Sequence, residues 1–161
     1  MAQPSKLAIL GISGSGQKRS FNTALLEAAK QLLPQNATLE IVDASKLPLY
    51  NQDLEHEMPE EVKELKKKIR SADAILIATP EHNYSITAVL KNAIEWGNRP
   101  PRDASWSGKP AAITSASSSL RGGARAQLHL RQIMIDLTCT RSIGLSYWSR
   151  MPKTNSMKIY S

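Results

Sequence analysis

Residues 74 to 79 read Ala-Ile-Leu-Ile-Ala-Thr, an apolar run with no charged interruption. A run this short and uniform fits a strand buried on both faces, the habit of parallel sheets. Pro80 stops it; Glu81, His82, Asn83 and Tyr84 follow, then Ser85 and an apolar stripe at Val89, Leu90 and Ile94. Ser85 suits the N-cap of a helix running from about Ile86 to Trp96. The tetrapeptide 81–84 is thus expected on a loop at the carboxyl end of a strand, the edge where open α/β sheets bind ligands. Its polar and aromatic make-up suits a flat, heteroatom-rich ligand better than a metal or a phosphate alone.

The same alternation runs along the chain. Leu7 to Ile12, Thr38 to Asp43 and Pro110 to Ala116 read as further strands. Asn22 to Leu33 reads as a helix stopped by Pro34, and Ala124 to Leu137 as another. Pro59 opens a helix with Glu60 and Glu61 at its positive end and Val62, Leu65 and Ile69 facing inward. On that helix Lys66, Lys67, Lys68 and Arg70 are expected to form the solvated face and negative end. Strands separated by helices imply right-handed crossovers and a parallel sheet covered on both sides. For a chain of 161 residues the class is one domain of three αβα layers. Its expected arrangement is a doubly wound, flavodoxin-like sheet in the order 2-1-3-4-5.

Charge narrows the partners. The net charge is +7, but the last 24 residues carry four of the 21 basic residues and no acid. More than half of the excess therefore lies in a short tail, and nucleic-acid binding is not expected. No apolar run reaches the roughly 18 residues of a membrane span, and the start shows no secretory pattern. The single cysteine, Cys139, excludes an internal disulfide and fits a reducing cytoplasm. His56, His82 and His129 lack metal-ligand spacing, so no metal site is expected.

Three loops follow strands and would share one edge of such a sheet. The first, residues 11–22, has three glycines and three serines and opens a helix, as a phosphate cradle would. It is not a Walker A loop, because Gln17 follows Gly16, and Arg19 breaks a dinucleotide fingerprint begun at Gly14. The second is Pro80 to Ser85. The third is Ser115 to Arg125, where Gly122 and Gly123 allow close backbone approach and Ser117, Ser118 and Ser119 offer hydroxyls. Taken singly, each loop also reads as an ordinary connection; together they suggest a site.

The chain also resembles a known family. The carrying motifs are Gly-Ser-x-x-x-x-Ser-Phe-Asn ending at Asn22, Pro48 to Asp53, Pro-Glu-x-Asn-Tyr-Ser at 80–85 with Leu-Lys-Asn-Ala-Ile-Glu-Trp, and Gly-Gly-Ala-Arg-Ala-Gln from Gly122. Over residues 6 to 137 they resemble the NADPH-dependent FMN reductases, particularly the chromate- and quinone-reducing bacterial members. The resemblance implies noncovalent FMN, with NADPH or NADH as co-substrate, and a homodimer or homotetramer. Ser15, Gln17, Ser20 and Asn22, with Phe21 beside them, would hold the FMN phosphate. Pro80, Glu81, His82, Asn83 and Tyr84 would meet the ring from one side, and Ser117, Ser118 and Gly122 would approach the other. Arg121 or Arg125 would attract NAD(P)H or an anionic acceptor. No catalytic residue is expected beyond the flavin: electrons would pass from NAD(P)H to a quinone, azo, metal-oxyanion or flavin acceptor in ping-pong order. Where the family usually has arginine this chain has Gln17, so Lys18 or Arg19 would substitute; His82 stands for a usual tyrosine.

The resemblance stops after Leu137. The expected final strand and closing helix are replaced by an atypical tail, residues 138–161. A shifted reading frame would restore a Pro-Glu-led strand and an Asn-Ala…Lys-Phe-Asp helix, so a frameshift is one explanation. An edge strand at Ile143 to Trp148 would remain, and one sheet face would be partly bare. Two other functions stay open at this stage: a flavodoxin-like electron carrier without nicotinamide activity, and a scaffold impaired by its tail.

Overall fold

The computed structural model describes residues 6–139, 142–143 and 148–150. Strand β1 (Leu7–Ser13) leads into helix α1 (Phe21–Gln31), then β2 (Ala37–Asp43). Two short 3-10 turns, Ala44–Lys46 and Gln52–Glu55, precede α2 (Glu60–Ser71) and β3 (Ala74–Ala78). Helix α3 (Ala88–Gly97), β4 (Ala111–Ser117) and α4 (Ala124–Asp136) follow. All four strands are parallel, in the order β2-β1-β3-β4. Beyond β4, Ser142–Ile143 runs along Ala111–Ala112, and Trp148–Arg150 along Ser115–Ser117. The rest of the expected edge strand and of the atypical tail lies outside the described residues.

Register explains the layers. Leu10, Ile75 and Ala111 lie side by side, as do Ile12, Ile77 and Ile113. These six point to one face, where they join Leu65 and Ile69 of α2, Leu90 and Ile94 of α3, and Leu130 and Met134 of α4 in one buried cluster. Helix α1 lies on the opposite face, with Leu26 fully buried. On that face Leu76, Ala112 and Thr114 are only half-buried. The main core is therefore one-sided, between the sheet and α2–α4.

Lysine 66 corrects an expectation. It sits on the buried stripe of α2 with Val62, Leu65 and Ile69, one turn from Val62, and is 2% exposed. Its ammonium donates to the carbonyl oxygens of Trp96 (3.3 Å), Asp103 (3.1 Å) and Arg99, and pairs with the Asp103 carboxylate at 3.3 Å. Burial pushes its pKa down, against the pull of Asp103. The cation caps the negative end of α3 and ties the following loop to α2. Lys66→Met keeps the apolar stem and leaves those carbonyls unpaired, so it is expected to cost about 2–3 kcal/mol. The urea midpoint measures this; an unchanged midpoint would show that Lys66 holds nothing.

Candidate functional site

The first loop departs from β1 pressed against β3. The Gly14 N–H donates to Ala78 O at 2.8 Å, and a Cβ on Gly14 would lie 2.6 Å from Thr79 Oγ1, so only glycine fits. The Thr87 hydroxyl donates to Gly14 O at 2.5 Å and accepts the Leu90 N–H at 3.1 Å. Thr87, not Ser85, is therefore the N-cap of α3, which starts two residues later than the sequence suggested. Both residues are good caps, and only Thr87 sits three before a backbone N–H that its oxygen reaches.

At the start of α1 the Ser20 hydroxyl accepts the N–H groups of Asn22 (3.1 Å) and Thr23 (3.3 Å). Its own proton remains available to a ligand oxygen. The backbone N–H groups of Gly16, Lys18 and Arg19 have no hydrogen-bond acceptor among the described residues. Ser15 is half-buried, and Gln17, Lys18, Arg19 and Phe21 are exposed around them. Free N–H groups, a hydroxyl and two cations before a helix N-terminus are groups that could hold an anion. The residues fit a phosphate monoester.

The second loop is a two-residue hairpin. The His82 N–H donates to Ser85 O at 3.0 Å and the Ser85 N–H to His82 O at 2.9 Å. Asn83 and Tyr84 form the tip, both left-handed, with φ of 47° and 73°. That is the type I′ pattern, which asparagine tolerates and tyrosine does not favour. Tyr84 is 61% exposed. Behind the tip the Glu81 carboxylate, 9% exposed, accepts the Arg125 N–H at 3.2 Å and pairs with the Arg125 guanidinium. Burial alone would raise the Glu81 pKa, but the bonds from Arg125 outweigh it and hold the carboxyl below its ordinary range.

The third loop is locked from beneath. The Ser115 hydroxyl donates to Gly122 O and accepts from Gln127 Nε2 at 2.6 Å. Gly123 has φ of 86°, and a Cβ there would lie 2.8 Å from the Ser115 side chain. Above this lock Ser117 bonds to Ser119 while Ser118 and Arg121 are exposed. Gly122 itself is buried.

Asn22 joins the first loop to the third. Its Nδ2 donates to Ala116 O at 3.1 Å and its Oδ1 accepts the Ala116 N–H at 2.9 Å. The expected role was a phosphate contact; the structure commits both ends of the amide to β4. The three loops thus share one rim, and Ser20, Tyr84 and Gly122 stand on its linked segments. Pro80 and Glu81 lie behind the tip, with His82 and Asn83 exposed on it. Thr87 and Gln127 were missed because their partners, Gly14 and Ser115, lie on other elements, 73 and 12 residues away. Among the described residues no group of three His, Cys, Asp or Glu stands close enough to hold a metal. Cys139 bonds to Trp106 O at 3.5 Å, and burial pushes its thiol up, away from reactivity.

Two outcomes follow. Asn22→Leu leaves both Ala116 groups unpaired and is expected to lower stability by about 1–3 kcal/mol, measured by urea unfolding; no loss would mean water replaces the amide. Because the folded Glu81 carboxyl titrates below its unfolded value near 4.3, its contribution is present above that pH and lost as pH falls through the folded value. Urea midpoints against pH should therefore drop less steeply on the acid side in Glu81→Gln, and an identical slope would contradict the pairing.

The model of the NADPH-dependent FMN reductase family matches residues 7–148. An NAD(P)H-dependent FMN reductase of Pseudomonas aeruginosa is 49% identical over 132 residues, 81% of this chain and 71% of that protein. A quinone reductase of Pseudomonas putida is 42% identical over 142 residues, covering 86% and 75% of the two chains. Among solved structures, the flavoenzyme NAD(P)H:(acceptor) oxidoreductase FerB of Paracoccus denitrificans superposes with a TM-score of 0.81 at 31% identity. That match covers 91% of this chain and 81% of FerB. The chain belongs to the NADPH-dependent FMN reductase family.

Proposed function

We propose that this chain is an FMN-dependent NAD(P)H oxidoreductase that passes electrons to quinones, with azo compounds, metal oxyanions and free flavin as further acceptors. The observation that carries it is the linked rim: an open anion cradle at α1 and an aromatic turn at Tyr84, held at fixed separation by Gly14, Thr87 and Asn22. Ser20, the free N–H groups of the loop and Lys18 or Arg19 would bind the phosphate. Asn83, Tyr84 and the backbone of 80–84 would orient the ring against the loop of Ser117, Ser118 and Gly122. Bound FMN supplies a two-electron carrier that the side chains present do not provide. The residues would bind and orient the flavin, and both substrates would use its exposed side in turn, which is a ping-pong order. Relatives named quinone reductase or NAD(P)H:quinone oxidoreductase, at 41–45% identity, support the acceptor class.

A second copy of the chain is part of the proposal. Leu49 is 82% and Ile135 is 78% exposed, with Leu120, Leu128 and Tyr84 also open. A groove of about 340 Å³ between α3 and α4 has Ile94, Ile133 and Leu137 in its lining. A homodimer or homotetramer would cover this surface and narrow the open side of the rim. The whole chain is read as one flavin-binding domain, its tail from residue 138 being the atypical part. A lone half-buried cysteine supports a reducing cytoplasmic setting, and no helix among the described residues is long and apolar enough to cross a membrane.

One preparation tests the reading. The purified protein, given FMN, is expected to retain flavin absorbance, bleach anaerobically with NADPH and recover its colour on adding a quinone. Light scattering on the same sample should give at least twice the mass of one chain. Colour that NADPH does not bleach would make the protein an electron carrier, and failure to take up FMN would overturn the proposal.

A further inference from the structure

Arginine 125 occupies a place that helix physics disfavours. It is the second residue of α4, at the positive end of the helix, where a cation is repelled. Glu81 offsets this by bonding both to the helix backbone at Arg125 and to the guanidinium. The guanidinium then lies 3.9 Å from the centroid of the Tyr84 ring, within the range of a strong cation–π contact. Its Nε is buried and unpaired among the described residues, so the fork does not open freely to solvent. One helical turn on, His129 Nδ1 bonds to Ser85 Oγ at 3.0 Å. Helix α4 therefore holds the hairpin at its stem through His129 and at its strained tip through Arg125.

We infer that Arg125 is a positioning residue: clamped by Glu81, its planar face fixes the left-handed Tyr84 turn that forms one wall of the flavin rim. This rests on the proposed function, and it replaces the expectation that Arg125 receives the phosphate of NADPH or an anionic acceptor. A guanidinium spent on a carboxylate and a ring has little left for a third partner. Arg121, exposed on the neighbouring loop, has no such ties among the described residues.

The test compares Arg125→Leu, Arg125→Lys and Glu81→Gln with the unaltered protein in three measurements. Titrating FMN into flavin-free protein and following fluorescence quenching is expected to show Arg125→Leu binding roughly tenfold more weakly. Arg125→Lys keeps a charge for Glu81 but not the planar stack, and should lose roughly threefold; it serves if the leucine variant does not fold. In the double variant with Glu81→Gln the loss should not exceed that of Arg125→Leu alone, because both break one clamp. Hydrogen exchange of flavin-free protein should speed up at the His82 and Ser85 amides. KM for NADPH and for NADH should change by the same factor. A selective rise in KM for NADPH with FMN affinity unmoved would make Arg125 the coenzyme receptor and overturn the inference. Unchanged FMN affinity and hairpin exchange in all variants would overturn it while leaving the proposed function standing. No FMN uptake by the unaltered protein would remove both.

Discussion

The site depends on what happens where β3 leaves the sheet. The Thr79 N–H still donates to Thr114 O, but Pro80 has no N–H to offer and the chain turns outward. Ala116 of β4, two residues beyond, loses the neighbour that would pair its N–H and C=O. Buried backbone groups need partners, and the Asn22 amide supplies both a donor and an acceptor in the geometry of a strand. One side chain thereby completes the sheet, fixes the start of α1 over β4, and sets how far the first loop stands from the third. The opening that results is lined by loops whose bases cannot drift apart without breaking buried hydrogen bonds.

Charge around that opening divides by availability. At α1 the N–H groups, Lys18 and Arg19 meet no carboxylate among the described residues, which leaves positive potential there. At α4 the helix end and Arg125 are neutralised by Glu81. The rim thus offers an anion site at one end and an uncharged aromatic turn at the other, 64 residues apart in sequence between Ser20 and Tyr84 but joined through Gly14, Thr79 and Thr87. A phosphorylated ligand with a flat ring matches that asymmetry better than a metal ion or a nucleic acid does.

The strands and helices were legible because apolar runs and 3.6-residue stripes are local signals: α1, α2 and β4 lie within two residues of where periodicity puts them. Lys66 was not, although Val62, Leu65 and Ile69 mark the stripe it belongs to. A lysine there reads as solvated unless one knows that the end of α3 brings carbonyl groups to it. Thr87 and Asn22 show the same gap. Their residue types announce capping and hydrogen bonding, but which backbone groups they reach, 73 and 94 residues away, is decided only by the packed sheet. The three loops could be predicted to meet because topology alone carries strand ends to one edge. Which side chains would bind and which would brace could not.

That distinction also says where this chain can vary. Gly14, Asn22, Thr87, Ser115 and Gly123 are buried and each meets a specific partner, so a change at any of them disturbs the frame. His82, Ser118 and Arg121 are exposed on loops held by that frame, and their side chains are free to differ with little cost to folding. Gln17 and His82 are likewise exposed, so a different side chain at either leaves the frame of the rim in place. Frame and variable surface reside in separate sets of atoms here: the first in backbone and buried side chains, the second in side chains that project from the loops they hold.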